Sequence, residues 1–187
     1  MRKGIGVAIE QVVTCGPDHV IMGVALEAFW GGVDGSAKLE HELSSWTGTK
    51  ISMGSTAMHR ALQAVGAKRI AILTPHMPAG DEQVHQWFTE AGYDIVKLVG
   101  LRCESPRLIA EVSLDTMRET VMDLNADEPD AIVQVGTNLQ FMRVAVASEL
   151  LLGKPVLALN AVMLWDALRV QGVSDRLTGF GQLLENR

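Results

Sequence analysis

His19-Val20-Ile21-Met22-Gly23 and Ala131-Ile132-Val133-Gln134-Val135-Gly136 are two short apolar runs, each ended by a glycine, and each opens the same series of elements. After the first come a helical stretch, a Gly48-Thr49-Lys50 turn, the run Ile51-Ser52-Met53, then Gly54-Ser55-Thr56-Ala57 opening a helix that closes on Ala61-Leu62-Gln63-Ala64-Val65-Gly66. After the second come a helix, Gly153-Lys154-Pro155, Val156-Leu157-Ala158-Leu159, then Asn160-Ala161 and a helix that closes on Ala167-Leu168-Arg169-Val170-Gln171-Gly172. A unit written twice predicts two similar α/β lobes facing one another across a cleft lined by equivalent loops. Chemistry is then expected where Gly23 and Gly136 end their strands.

Working outward, apolar residues on consecutive rather than alternating positions mark parallel strands covered on both faces. They are expected at 19–24, 50–54, 69–74, 94–99, 131–136 and 155–159, with amphipathic helices at 36–46, 56–65, 81–91, 113–124, 140–152 and 161–171. Gly48, Gly66, Gly92, Gly153 and Gly172 each follow the last periodic residue of a helix, where a left-handed residue ends it. The fold class is therefore α/β: two pseudo-symmetric lobes, each a short parallel sheet flanked by helices, lobe 1 at 1–92 and lobe 2 at 93–187, the C-terminal helix crossing back to the first. The first 16 residues read as a helix with no strand before it to complete a β-α-β order. The helix is expected either to cover a sheet edge or to follow a strand lost by truncation or by a misassigned start.

Composition narrows the partners. The 187 residues are 48% hydrophobic, enough for a substantial core, and carry a formal net charge of -6 with no basic run, which argues against a nucleic-acid surface. No apolar run reaches the roughly 18 residues of a membrane span, and the start lacks the apolar core of a signal peptide, so a cytoplasmic location is expected. Cys15 and Cys103 form no CxxC or Cys/His spacing, so they read as free thiols and no metal site is expected.

In open parallel sheets ligands bind beyond the carboxyl ends of the strands. Gly136-Thr137-Asn138 precedes a helix, so its N–H groups and side chains can converge on a carboxylate, and Gly54-Ser55-Thr56 repeats the arrangement in the first lobe. Two such pockets across a cleft suit a small dicarboxylic acid, with Gly23 and Asn160 on neighbouring loops. Ordinary helix capping by Ser55, Thr56 and Asn138 accounts for the same residues equally well. His76, held between Pro75 and a Pro78-Ala79-Gly80 turn, is the best acid/base candidate, with a solvated loop histidine as the plain alternative. Glu27 lies among apolar neighbours, where desolvation raises a carboxyl pKa, or else on the surface of a first helical turn. His41, His59 and His85 read as solvated helix faces, Met163 and Trp165 as core, and Cys103 as a thiol without a partner base.

Taken together, Met22-Gly23, Gly54-Ser55-Thr56-Ala57, Lys68-Arg69-Ile70-Ala71-Ile72-Leu73-Thr74-Pro75, Gly136-Thr137-Asn138-Leu139, Gly153-Lys154-Pro155-Val156 and Leu164-Trp165-Asp166-Ala167-Leu168-Arg169 resemble the maleate cis-trans isomerase and arylmalonate decarboxylase family of the aspartate/glutamate racemase superfamily. The resemblance runs to the terminal Gly179-Phe180-Gly181-Gln182-Leu183-Leu184. It implies two pseudo-symmetric lobes, a cleft for small carboxylates, and neither metal nor organic cofactor. It also implies departures. Gly23 and Gly136 stand where family members carry one or two catalytic cysteines, Val24 and Ala25 where the decarboxylase places hydroxyls, and His76 where it has a tyrosine. The family's opening strand and loop have no counterpart.

Two functions are consistent with these residues. One is a cofactor-independent lyase or isomerase acting on a small carboxylic or dicarboxylic acid through an enolate-like intermediate, with proton transfer through His76 or Glu27. The other is a carboxylate-binding protein that has lost catalysis. Homo-oligomerisation is left open.

Overall fold

The computed structural model describes residues 2–24 and 26–187. Six strands alternate with helices: β1 (His19–Met22), β2 (Lys50–Met53), β3 (Arg69–Thr74), β4 (Asp94–Gly100), β5 (Ala131–Gln134) and β6 (Val156–Ala158). The helices are α1 (Arg2–Val12), α2 (Gly32–Thr47), α3 (Gly54–Val65), α4 (Pro78–Glu90), α5 (Pro106–Ala110), α6 (Leu114–Asn125), α7 (Met142–Leu152), α8 (Leu159–Val170) and α9 (Gln182–Asn186). Glycines end the helices as expected: Gly48, Gly66 and Gly153 cap α2, α3 and α7 in the left-handed conformation.

All strand pairs are parallel and fall into two sheets, β1-β2 and β4-β3-β5-β6. The written repeat is real in three dimensions. β1-α2-β2-α3 and β5-α7-β6-α8 have the same element order, and in each the second helix starts on the residue after its strand. The sheets part after β2, earlier than the boundary near residue 92 read from the sequence. β3 is buried from Ile70 to Thr74 and hydrogen-bonded on both edges, by β4 and β5, so it is a central strand of the second sheet.

Alternate residues of the four-stranded sheet divide the core in two. Ile70, Ile72, Ala131, Val133 and Leu157 face a cluster that also holds Phe29, Met53, Met58, Leu62, Trp87, Phe88, Leu159 and Trp165. Ala71, Leu73, Ile132, Val156 and Ala158 face Met117, Val121 and Leu124 of α6 and Val144 and Ala145 of α7. The first cluster spans both sheets, since α8 packs on α3, β1 and β2, and α9 packs on α8 and α3. Each fully buried Leu, Ile or Phe contributes about 1.5–3 kcal/mol of transfer free energy. α1 packs on α2, with Ile9 buried. Among the described residues no helix is long and apolar enough to cross a membrane.

Candidate active site

The loops that leave β3 and β5 touch. Gly136 is buried with φ +141, a conformation that favours glycine, and a Cβ there would lie 2.5 Å from Pro75 Cδ and 2.6 Å from Pro75 Cγ. Gln134, 1% exposed in β5, holds this turn. Its Nε2 donates to the Gly136 carbonyl at 2.7 Å, and its Oε1 accepts the Leu159 N–H of α8 at 3.2 Å. Sequence reading passed over Gln134, although a lone amide in an otherwise apolar strand is the signal that a backbone group nearby needs a partner.

His76 follows Pro75. Its N–H donates to Thr74 Oγ1 at 3.1 Å, and the Thr74 hydroxyl donates in turn to the Asp81 carboxylate of α4. The carboxylate rests against Gly100, where a Cβ would collide with Asp81 Oδ2. Burial pushes the Asp81 carboxyl above its ordinary value, opposed by the Thr74 hydroxyl and by Arg102. The side chain of His76 packs on Gly80, where a Cβ would lie 2.8 Å from His76 Cβ and 3.3 Å from Leu26 Cδ2. His76 Nε2 is buried and has no hydrogen-bond partner among the described residues. Burial lowers the imidazole pKa, so the ring is neutral near pH 7.

The loop after β1 meets this region at Leu26. Glu27 sits half-buried in a short 3-10 turn, Leu26–Phe29, anchored by Phe29, which is fully buried and stacked edge-on to Trp87 at 5.5 Å. Two further bonds tie the chain after the turn to α4: Gly31 N–H to Gln83 Oε1 at 3.0 Å, and Val33 N–H to Glu90 Oε2 at 2.8 Å. Gly23 is exposed, and a Cβ there would meet nothing within 4 Å. It lines an apolar groove of ≈ 180 Å³ between α1 and β1. Ala25 lies outside the described residues.

The remaining candidates divide. α3 and α8 begin without side-chain caps, and their first turns meet: a Cβ on Gly54 would lie 3.3 Å from Leu159 Cδ1. The Ser55 and Thr56 hydroxyls turn towards α2 instead. Ser55 Oγ is 2.7 Å from Ser36 Oγ, and the Thr56 hydroxyl lies beside Glu40, whose carboxyl is raised by burial. Capping is thus not what these two hydroxyls do. The helix expected over 140–152 starts at Met142, because Leu139 and Phe141 first turn inward to the second core cluster, so Gly136-Thr137-Asn138 do not form its first turn. Asn138 is consequently exposed, its Nδ2 reaching Pro106 O at 3.4 Å, whereas Asn160 Nδ2 donates to Thr137 O at 2.9 Å. The structure therefore brings Gly136, Thr137, Asn160, His76 and the Leu26–Glu27 turn to one end of the sheet.

One other reading changes. His59 is not a solvated residue: Tyr93 Oη is 2.9 Å from its Nδ1, and burial lowers its pKa. Cys103 donates its N–H to Pro75 O at 3.0 Å, and burial pushes its thiol up, away from a nucleophilic thiolate. Among the described residues no three His, Cys, Asp or Glu side chains group as metal ligands.

Below the loops lies a polar chain the sequence did not disclose. Gln171 Nε2 donates to His19 Nδ1 at 3.2 Å, so the neutral ring carries its proton on Nε2 and donates to Ser52 Oγ at 2.9 Å. The Ser52 hydroxyl donates to Asp166, which also accepts Arg60 Nε at 2.5 Å and Nη2 at 2.8 Å. The chain joins β1, β2 and α3 to α8, first repeat to second.

Two parallel sheets, joined by one apolar core cluster and built with a repeated β-α-β-α unit, define a two-lobed α/β protein. The sequence profile of the family described as arylmalonate decarboxylase matches residues 7–184, and the chain belongs to that family. It is 27% identical over 175 residues to the arylmalonate decarboxylase of Bordetella bronchiseptica, covering 88% of this chain and 70% of that one. Its fold superposes on the maleate cis-trans isomerase of Nocardia farcinica carrying a covalently bound succinylcysteine intermediate, with a TM-score of 0.94 at 19% identity over 100% of this chain and 79% of that one. It also superposes on the maleate isomerase Iso of Pseudomonas putida S16 with maleate, with a TM-score of 0.90 at 20% identity over 96% and 74% of the two chains. The matched family is one of enzymes, named for the decarboxylation of arylmalonates.

Proposed function

We propose that the protein is a cofactor-independent lyase or isomerase acting on a small carboxylic or dicarboxylic acid, with His76 moving the proton at the carbon next to a carboxylate. The observation that carries this reading is the His76 imidazole, neutral, buried and unpartnered at Nε2, at the strand ends where Gly136, Thr137 and Asn160 gather. A neutral Nε2 can take a proton from that carbon, leaving the electron pair in an enolate, and return it to the same carbon. In decarboxylation the breaking carbon–carbon bond supplies the pair, carbon dioxide leaves, and the carbon takes up a proton that His76 Nε2 has first accepted from solvent. Backbone N–H groups in the first turn of α3, and those after Leu159 in the first turn of α8, are the donors this reading assigns to the developing oxyanion. Glu27, on the facing turn, is the second proton-transfer candidate.

The Pro75 ring in the side-chain space of Gly136 favours a second reading, a small-carboxylate-binding protein in which backbone has closed over the position of a lost thiol. Carbon dioxide release from arylmalonates, maleate isomerisation and solvent deuterium exchange next to the carboxylate of small acids separate the two. The enzyme reading expects at least one of these activities, reduced about 10²–10⁴-fold in His76→Ala. Carboxylate binding with no exchange and no turnover establishes the second reading.

A further inference from the structure

Among the described residues, two that are not glycine hold a left-handed backbone, Glu128 at φ 50 and Arg102 at φ 54. Glu128 has an ordinary reason: its N–H donates to Asn125 O at 3.0 Å and closes the end of α6, the usual place for such a residue. Arg102 follows β4, and no helix ends there. Its conformation is imposed from both sides, since Leu101 N–H donates to Thr74 O at 2.8 Å and Cys103 N–H to Pro75 O at 3.0 Å. Strain that the surroundings over-determine in this way clusters at ligand sites.

The segment that Arg102 opens spans the strand ends. Farther along it, Pro106 O accepts Asn138 Nδ2 at 3.4 Å and Ala110 O accepts Gln140 Nε2 at 3.3 Å, so 101–110 bridges the loops that leave β3 and β5. Those loops are poor in charge. The loop from β1 carries Glu27, that from β3 only His76, that from β5 nothing, and β2 and β6 run straight into α3 and α8. Arg102, with Glu104 two residues on, is therefore the one permanent cation of the strand-end loops. Arg107, in α5, is held by Glu111 at 2.8 Å. The exposed Arg102 side chain makes no hydrogen bond or ion pair among the described residues, yet its charge reaches Asp81, the carboxyl that accepts the Thr74 hydroxyl.

We propose that Arg102 pairs with one carboxylate of a dicarboxylic substrate while the amides that open α3 and α8 receive the other, so that the site selects doubly charged acids over singly charged ones. The inference rests on the reading of the strand ends as a carboxylate site. A planar guanidinium offers two parallel N–H groups to a carboxylate, and it stays charged wherever the acid is a dianion. The clamped backbone fixes where the side chain starts and leaves the guanidinium free to close on the ligand.

Calorimetric titration of the full chain with maleate and with butyrate, a dianion and a monoanion of equal carbon count, tests this at a pH where both acids are ionised. Maleate is expected to bind at least tenfold tighter than butyrate. Arg102→Gly should remove at least tenfold of the maleate affinity and leave butyrate within twofold. Its urea midpoint should hold or rise, since glycine takes a left-handed backbone without strain. Arg102→Lys, which keeps the charge and loses the fork, should fall between. Unchanged maleate affinity in Arg102→Gly overturns the proposal, and so does an equal loss for both acids, which marks a structural role. Wild-type protein that holds maleate and butyrate alike overturns the Arg102 assignment and leaves the carboxylate site standing. Binding of neither acid removes both. Maleate affinity that depends on Arg102, with no turnover or solvent exchange, supports the proposal and sinks only the enzyme reading.

Discussion

Gly136 and Pro75 exclude one another's side chains. A Cβ on Gly136 would lie 2.5 Å from the Pro75 ring, and the backbone at φ +141 is strained for any residue but glycine. Gly23, its counterpart in the first repeat, has open space and an ordinary backbone. The two glycines expected at the family's cysteine positions are therefore unequal. Gly23→Cys should change stability by less than about 0.5 kcal/mol. Gly136→Cys should lose about 2–4 kcal/mol from overpacking and backbone strain together. Adding Pro75→Ala should recover the packing share and leave the strain, all three read from denaturant unfolding.

That asymmetry shows where sequence reading stopped. The repeat, the strand positions and the glycine stops were legible because each depends on local pattern: period, glycine conformation and apolar runs. Gly23 and Gly136 look alike by that rule. What separates them is a proline sixty residues away. Likewise the sequence offers Ser55 and Thr56 a ligand or a helix cap, yet their hydroxyls go to α2, since which side of a first helical turn is buried depends on the helix that packs there. The second sheet captured β3 because its two edges find β4 and β5, and no local signal states which strand will flank which.

The pH dependence of turnover follows from the burial of His76. Burial lowers its pKa, so the neutral form required of a base persists below the ordinary histidine value of about 6.5. Activity should hold as pH falls through that value and decline only at more acidic pH. In His76→Ala that acid limb should vanish along with most of the rate. A rate that halves at or above pH 6.5 in the wild type contradicts a desolvated His76 base.

Thr74 couples the His76 backbone to Asp81, accepting from one and donating to the other. Thr74→Val preserves shape and removes both bonds, leaving a half-buried N–H and a half-buried carboxylate without this partner. A loss of about 1–3 kcal/mol is expected. Turnover should fall further than in Asp81→Asn, whose amide oxygen can still accept the Thr74 hydroxyl and keep the loop in place. Equal turnover in the two variants would mean that the loop does not depend on this link.

Asp166 is 1% exposed, and its carboxylate is held by Ser52 and Arg60, which come from the other repeat. Removing Arg60 leaves a buried carboxylate with only the serine hydroxyl. Arg60→Leu should therefore destabilise the fold by about 3 kcal/mol, the low end for breaking a buried pair because the Arg60 side chain is 38% exposed. Asp166→Asn removes the buried charge that Arg60→Leu leaves unpaired, so the double variant should be more stable than the sum of the single losses by about 1–3 kcal/mol. His19 adds a pH signature. Burial is the largest cause of its lowered pKa, and a histidine held neutral in the folded state contributes stability that is present above about pH 6.5 and lost as pH falls through the folded value. His19→Gln, whose amide can still donate to Ser52, should flatten that part of the slope. If the double-mutant coupling is absent, the link between the repeats rests on the apolar packing of α3 against α8, and the polar chain is an accompaniment to it.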